Sequence, residues 1–252
     1  VSPIWANLPV SLFHPKVVGL TNNNDTVGLS GEGNYYRAAF FNGPYHHAVM
    51  PYDSSGLLAL SRIMHESYVN YWLANNGPDT AYSYYRYPAK MYSSLISGAV
   101  AYARMVNDRK EAERAKKIVE IVADNLINIS YAAHTPWEYF PPTYYGRWIA
   151  KLNQASFIRL DNFMPTYGVE AGNAYLDLYD LTGKQKYLDA SERIAKTFLK
   201  NQLPNGTWNL YVNPHTGDPT SSIGNIAIPT NILGFFERLQ EKYQMKGLNT
   251  AN

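Results

Sequence analysis

The chain of 252 residues contains no cysteine, which rules out disulfide bridges, thiolate metal sites and cysteine nucleophiles. It also lacks an excess of charge, because 22 Lys and Arg oppose 20 Asp and Glu and leave a net charge of +2. A dedicated nucleic-acid-binding protein usually carries a basic stripe, so this balance argues against a nucleic-acid partner. No apolar run approaches the roughly 20 residues that a membrane-spanning helix needs. What remains is an ordinary globular composition.

Tyrosine is the residue type that stands out, with 22 tyrosines against 9 phenylalanines and 5 tryptophans. Tyrosine has a rigid apolar face and a polar tip. An excess of tyrosine over phenylalanine therefore favours surfaces that are lined with rings and still wet. Packing of tyrosines between helices is the alternative explanation.

The pattern of the sequence changes near residue 55. Residues 1–54 are rich in Gly, Asn and Pro and have no sustained helical period, which predicts an irregular segment with short strands. From Ser55 onward, apolar residues recur at helical spacing, so residues 55–252 are predicted to form a helical domain.

Within that domain a pair of helices occurs twice. The first pair lies between Tyr87 and the segment that ends near Ile129, and the second covers residues 164–203. Tyr102 corresponds to Tyr175 in this comparison, and a final helix follows Pro229. The first helix of each pair carries small residues and tyrosines on several faces, whereas the second is amphipathic. This asymmetry predicts an inner layer and an outer layer of helices.

The segment from Leu178 to Trp208, LYDLTGKQKYLDASERIAKTFLKNQLPNGTW, resembles the hairpin unit of (α/α) toroid carbohydrate-active enzymes. These are the six-hairpin glycosidase-like proteins, with related polysaccharide lyases and uronyl epimerases. The resemblance implies an all-α fold, namely an (α/α) toroid or partial toroid of helical hairpins. A complete ring generally needs a longer chain, so a partner chain that completes the toroid is one expectation. The toroid hosts several chemistries, so the resemblance is more specific for fold than for activity.

Residues 134–148, HTPWEYFPPTYYGRW, combine many rings with three prolines and cannot form a regular helix. In a toroid such a loop borders the central pocket, where rings stack on sugars and polar side chains bind hydroxyl groups. The alternative is a proline-rich loop that covers the core with its rings. The residues predicted to bind substrate are Trp137, Tyr139, Tyr145, Arg147, Trp148, Tyr167, Glu170 and Trp208.

Hydrolysis of a glycosidic bond needs two carboxyl groups, and Glu138 with Asp161 is the predicted catalytic pair. Asp161 precedes an inner helix, so an N-cap role is the alternative for that residue. Glycoside hydrolysis by this pair is the favoured function.

A uronate-directed polysaccharide lyase or C5-epimerase is the second hypothesis. Such enzymes need a group that neutralises the uronate carboxylate, a base and an acid, which Arg, His and Tyr can supply. His134, Tyr144, Tyr145 and Arg147 cluster in the sequence and fit these roles. A second group, Tyr45, His46 and His47, is better explained as an exposed loop.

A non-catalytic glycan-binding helical domain is the third hypothesis, in which the aromatic wall binds and nothing reacts. In all three cases the expected partner is an oligo- or polysaccharide. The sequence has no metal-binding signature, and no cofactor is expected. The start at Val1 is compatible with a removed signal peptide, a trimmed sequence or a fragment, and the expected location is secreted or periplasmic.

Overall fold

The computed structural model describes residues 12–33, 35–36, 52–65, 67–79, 87–144, 162–220, 224–226 and 229–248. The chain divides into two compact units, Val1–Ser55 and Gly56–Asn252. The described secondary structure is mostly helical, which confirms the all-α class.

The first unit contains short antiparallel strand pairs. Strand β1 (Leu12–Phe13) pairs with β4 (Tyr35–Tyr36), and β2 (Val18–Leu20) pairs with β3 (Thr26–Leu29). In the turn between β2 and β3, the Thr21 hydroxyl accepts hydrogen bonds from the backbone N–H groups that follow it. The prediction of short strands in this region is therefore confirmed.

The described helices follow the predicted periodicity closely. The helical segment expected after residue 55 is described over Tyr52–His65 and Ser67–Asn75. The helices are α1 (Tyr52–His65), α2 (Ser67–Asn75), α3 (Pro88–Met105), α4 (Arg109–Asn128), α5 (Tyr167–Thr182), α6 (Gln185–Lys200) and α7 (Thr230–Tyr243).

Local sequence signals set several of these helix ends. Pro88 occupies the first turn of α3, where its missing N–H costs nothing. Asp108 is the N-cap of α4, and its carboxylate accepts from the backbone N–H groups of Lys110 and Glu111. Gly183 ends α5 in the left-handed conformation at φ 66°, which glycine adopts without steric cost. The two short turns thereby define two antiparallel hairpins, α3–α4 and α5–α6.

The first helices of the hairpins lie side by side and run in the same direction. The Ser97 hydroxyl of α3 donates to Asp177 Oδ2 of α5 at 3.2 Å. Asp177 Oδ1 in turn accepts from Arg238 of α7 at 2.7 Å, and one turn further on Asp180 pairs with Lys242 at 2.5 Å. Residue numbers increase together along α5 and α7, so these helices are parallel. We call α3, α5 and α7 the first layer.

The second helices form another layer. Lys184, immediately before α6, pairs with Glu120 of α4 at 2.5 Å, and Lys186 pairs with Asp124 at 2.6 Å. Helices α4 and α6 are therefore parallel to each other and antiparallel to the first layer. Each buries one apolar face and exposes a charged one, as the sequence predicted.

The long connections meet at one end of the helical unit, because both lead from the end of a second-layer helix to the start of a first-layer helix. Phe163, before α5, forms an isolated antiparallel bridge with Val212, before α7. The Asn201 side chain donates to the Pro136 carbonyl at 2.8 Å. The short turns lie at the opposite end. The start of the first layer is thus the end where loop side chains collect.

Candidate functional site

Residues 131–140 form a closed loop that is anchored on α6. The Tyr131 N–H donates to the Phe140 carbonyl at 2.9 Å, and the Tyr139 N–H donates to the Tyr131 carbonyl at 2.8 Å. The Thr197 hydroxyl of α6 donates to the Glu138 carbonyl at 3.1 Å. These bonds hold the backbone in one conformation without regular secondary structure.

The two described tryptophans that were predicted to bind substrate are core residues. Trp137 is 2% exposed and packs edge-to-face against Phe140, Phe163 and Phe198. Trp208 is fully buried, and its indole N–H donates to the Phe198 carbonyl at 2.8 Å. Protein atoms occupy their ring faces, so a sugar cannot stack there. These two rings therefore pack in the core and do not line a binding pocket.

Glu138 has a structural role in the same loop. Its carboxylate accepts from the backbone N–H of His134 at 2.8 Å and pairs with Lys200 at 3.4 Å. The hydrogen bond from His134 is the main reason that the pKa of Glu138 is lowered, and Lys200 reinforces it against the opposing effect of desolvation. The group is therefore ionised and already partnered, which is unfavourable for a general acid. His134 itself is exposed at φ 71°.

Tyr139 is half-buried, and its backbone is left-handed at φ 67°. The guanidinium carbon of Arg193 lies 5.0 Å from the centre of its ring. One face of this tyrosine is thus covered by protein, so its predicted role in stacking is restricted to the remaining face.

A different set of polar and aromatic residues collects where the first layer begins. Tyr87 and Lys90 lie at the start of α3, and Tyr167 and Glu170 lie at the start of α5. In each helix the two residues are three apart and share a face. The Tyr144 ring packs edge-to-face on Tyr87 with centroids 5.5 Å apart. We call these five residues the helix-start cluster.

The carboxyl group of Glu170 differs electrostatically from that of Glu138. Glu170 is exposed as a residue, but surrounding protein desolvates its carboxyl group and raises its pKa. Lys90 on the neighbouring helix partly opposes this shift. A carboxyl group with a raised pKa and a lysine on the adjacent helix is a candidate for proton exchange.

Sequence reasoning named Tyr144, Tyr167 and Glu170 but missed Tyr87 and Lys90. The available signal was the pair of segments YPAK at Tyr87 and YGVE at Tyr167, which place Tyr-x-x-Lys and Tyr-x-x-Glu at the starts of two neighbouring helices. These two segments come together only because the helices are adjacent and parallel. The hairpin pattern in the sequence does not by itself predict that arrangement.

A polar network further along the first layer was also missed. The Arg238 guanidinium donates to Asn173 Oδ1 at 3.0 Å and to Asp177, which accepts from Ser97. All four residues are half-buried. Asn173 and Asp177 continue the face of α5 that carries Glu170, so a polar strip extends from the helix-start cluster along the first layer.

Several predicted residues lie outside the described residues: Tyr45, His46, His47, Tyr145, Arg147, Trp148 and Asp161. The N-cap role considered for Asp161 is wrong, because α5 begins at Tyr167 and its N-cap position is Thr166. The pairing of Glu138 with Asp161 stays a prediction, because Asp161 lies outside the described residues.

In the described part of the chain, no group of three or more His, Asp or Glu side chains is arranged to hold a metal ion. None of the described helices is long and apolar enough to cross a membrane. Comparison with family models, curated proteins and solved structures gives no match, so function has to be argued from the geometry of the chain.

Proposed function

We propose that this chain is a carbohydrate-active enzyme that acts on uronate-containing glycans, as a polysaccharide lyase or a C5-epimerase. The observation that carries the proposal is the position of Glu170. Its carboxyl group has a raised pKa, Lys90 lies on the adjacent helix, and Tyr87, Tyr144 and Tyr167 lie at the same end of the layer.

The charges at this end suit an anionic sugar. Helices α3 and α5 run parallel, so the positive ends of both helix dipoles lie at the helix-start cluster together with Lys90. Removal of the C5 proton of a uronate places negative charge on its carboxylate oxygens. Lys90 and the helix ends stabilise that charge as it develops.

Glu170 and the tyrosines supply the proton transfers in this proposal. Glu170 accepts the C5 proton as a general base, and a tyrosine hydroxyl then acts as the acid. Protonation of the leaving oxygen at C4 completes β-elimination, whereas return of a proton to the opposite face of C5 completes epimerisation. The two reactions share the same first step.

Hydrolysis by Glu138 and Asp161 is less well supported. Inverting and retaining glycosidases need one carboxyl group that is protonated at the working pH. Glu138 has a lowered pKa, so it does not suit the role of acid. Its two oxygens are bound to the His134 N–H and to Lys200, which is unfavourable for a base or nucleophile as well.

The arrangement of the layers also supports a toroid or partial toroid. In that fold an inner layer of parallel helices begins at the active-site end, and an outer layer runs in the opposite direction. The helices α3, α5 and α7 match the first description, and α4 and α6 match the second. A partner chain that completes the ring and a secreted or periplasmic location remain parts of the proposal.

The test is a panel of uronate-containing and neutral polysaccharides, assayed for unsaturated products by ultraviolet absorbance and for C5 exchange with deuterated solvent by NMR. Glu170→Gln keeps the shape of the side chain but cannot take a proton. We expect it to lower kcat by about 10²- to 10⁴-fold on an active uronate substrate.

Glu138→Gln is the matched control, because it removes the same charge from the other carboxyl group. It is expected to retain kcat at a temperature at which the variant is folded. New reducing ends without ultraviolet absorbance or C5 exchange, lost in Glu138→Gln and retained in Glu170→Gln, would show hydrolysis and overturn the proposal.

A further inference from the structure

An asparagine that is followed by glycine is exposed to attack by its own backbone. The nitrogen of the following residue can form a bond to the side-chain carbonyl carbon, and a glycine at that place has no Cβ to hinder the approach. The sequence contains this dipeptide at Asn42, Asn76 and Asn205. Asn42 lies outside the described residues, so the structure compares the other two.

Asn205 lies in a turn that holds both reacting groups. Its side-chain oxygen accepts the Thr207 N–H at 3.1 Å and the Thr207 hydroxyl at 2.7 Å. The Gly206 N–H donates to the Leu203 carbonyl at 2.9 Å. The attacking nitrogen and the side chain that it would attack are each fixed by hydrogen bonds, and these bonds must open before the two groups can react.

Asn76 follows the last residue of α2 and is held much less. The residue is exposed, and its backbone is left-handed at φ 52°. Among the described residues, no hydrogen bond engages its side-chain amide or the Gly77 N–H. A Cβ at Gly77 would have its nearest contact with Asn125 at 3.7 Å, so the space around the attacking nitrogen is open.

The main-chain carbonyl of Asn76, in contrast, links α2 to α4. Asn125 Nδ2 of α4 donates to it at 3.3 Å and to the Ile121 carbonyl at 3.0 Å. Nearer the start of α2, the Arg114 guanidinium of α4 donates to Asn70 Oδ1. The C-terminal end of α2 is therefore tied to α4 through the backbone of the residue whose side chain is open to attack.

We infer that Asn76 is a site of spontaneous deamidation, and that the reaction releases the end of α2 from α4. The Gly77 nitrogen gives up its proton to water and bonds to Cγ of Asn76, and the Cγ–Nδ2 bond breaks to release ammonia. The succinimide ring that results takes up one water molecule. Opening at one ring carbonyl gives aspartate, and opening at the other gives isoaspartate, in which the main chain runs through the side-chain carbon.

Both products are unfavourable at this position. Aspartate places a negative charge just beyond the C-terminus of α2, where the helix dipole is negative and the last turn has no basic residue. In isoaspartate the former Asn76 carbonyl becomes a free carboxylate and the main chain is one carbon longer, so the geometry of the Asn125 hydrogen bond changes. Asn76 belongs to neither the helix-start cluster nor the polar strip, and the inference is independent of the proposed function.

The experiment is incubation of the folded protein at mildly alkaline pH, followed by mass spectrometry of the peptides that contain Asn76 and Asn205. Aspartate and isoaspartate should accumulate at Asn76 about tenfold faster or more, because hydrogen bonds at Asn205 must open first. In urea the two rates should become similar, since the protection at Asn205 comes from the fold.

Gly77→Ala is the matched control variant, because its Cβ meets neighbours only at ordinary contact distance. It should lose most of the reaction at Asn76 and leave the rate at Asn205 unchanged. Equal rates at the two asparagines in the folded protein, or a reaction at Asn76 that occurs only in urea, would overturn the inference of a deamidation site.

Amide hydrogen exchange measures the effect on α2. In incubated wild-type protein the C-terminal end of α2 should exchange faster than in fresh protein, whereas incubated Gly77→Ala should keep the exchange of its fresh form. Asn76→Asp supplies the charge without lengthening the main chain, so it should show only part of the effect. Unchanged exchange in α2 of protein that contains isoaspartate would overturn the inferred release of α2 from α4.

Discussion

Two glutamates of the helical unit show how position changes the use of one residue type. Glu138 lies in a loop and accepts a backbone N–H, which stabilises its charge, whereas the carboxyl group of Glu170 lies on a helix where protein displaces water. The first group is suited to structure and the second to proton exchange. In the sequence both are single acids among aromatic and small residues, and the difference cannot be seen.

We expect Glu138→Gln to lower the free energy of unfolding by about 1 kcal/mol at neutral pH, because it weakens a charge-assisted hydrogen bond. The exposed Lys200 partner adds little. Urea denaturation followed by circular dichroism measures this difference.

The pH dependence of that difference follows from the lowered pKa of Glu138. A carboxyl group whose folded pKa is depressed contributes its stability above the unfolded value of about 4.3, and this contribution is lost as the pH falls through the folded pKa. The difference in the free energy of unfolding between the wild type and Glu138→Gln should therefore become smaller in acid. A difference in unfolding free energy that became larger below pH ~4 would contradict the stabilising role of the Glu138 carboxylate.

Helix α5 packs closely on its surroundings at two glycines. A Cβ atom at Gly168 would collide with the Phe140 ring, and one at Gly172 would collide with the Phe235 ring. Both rings are buried in the core and have little room to move. These glycines bring α5 close to the loop that covers it and to α7.

We expect Gly168→Ala and Gly172→Ala each to lower the free energy of unfolding by about 1–3 kcal/mol, because the extra methyl group overpacks the core. Thermal and urea denaturation provide the measurement.

Gly234→Ala on α7 is the control, since no atom lies within 4 Å of a Cβ at that position. It should stabilise the protein by about 0.5–1 kcal/mol, as alanine favours a helix over glycine. Equal effects at all three glycines would show that helix propensity, and not close packing, determines the result.

At the scale of the whole helical unit, the parallel alignment of α3 and α5 brings the helix-start cluster together. Ser97 and Asp177 define the register of these two helices. If α5 ran in the opposite direction, Glu170 would lie at the far end from Tyr87 and Lys90, and the proposed site would not exist.

The alignment can be tested by crosslinking, because the chain contains no cysteine that would interfere. A short bifunctional thiol reagent should link Ser97→Cys with Asp177→Cys in the double variant. Lys90→Cys with Asp180→Cys is the mismatched pair, displaced by about ten residues or roughly 15 Å along the helix axis. Linkage of the mismatched pair in preference to the matched one would refute the parallel arrangement.

The sequence by itself determined the class of the fold and most helix positions. Periodic apolar residues, Pro88 and Gly183 act within a few residues of where they occur, so their effects can be read locally. The amphipathic character of α4 and α6 was also predictable, because one face of each helix must leave water.

Only the tertiary structure decided which rings are open to a ligand and which carboxyl groups meet other charges. Trp137 and Trp208 were predicted to bind substrate because aromatic residues in a loop serve either a pocket or a core, and both are buried. The choice depends on what packs against the ring, and Phe163 and Phe198, which pack on Trp137, are distant from it in sequence. The electrostatic interaction of Lys90 with Glu170 also joins separate helices, and local periodicity carries no information about which helices become neighbours.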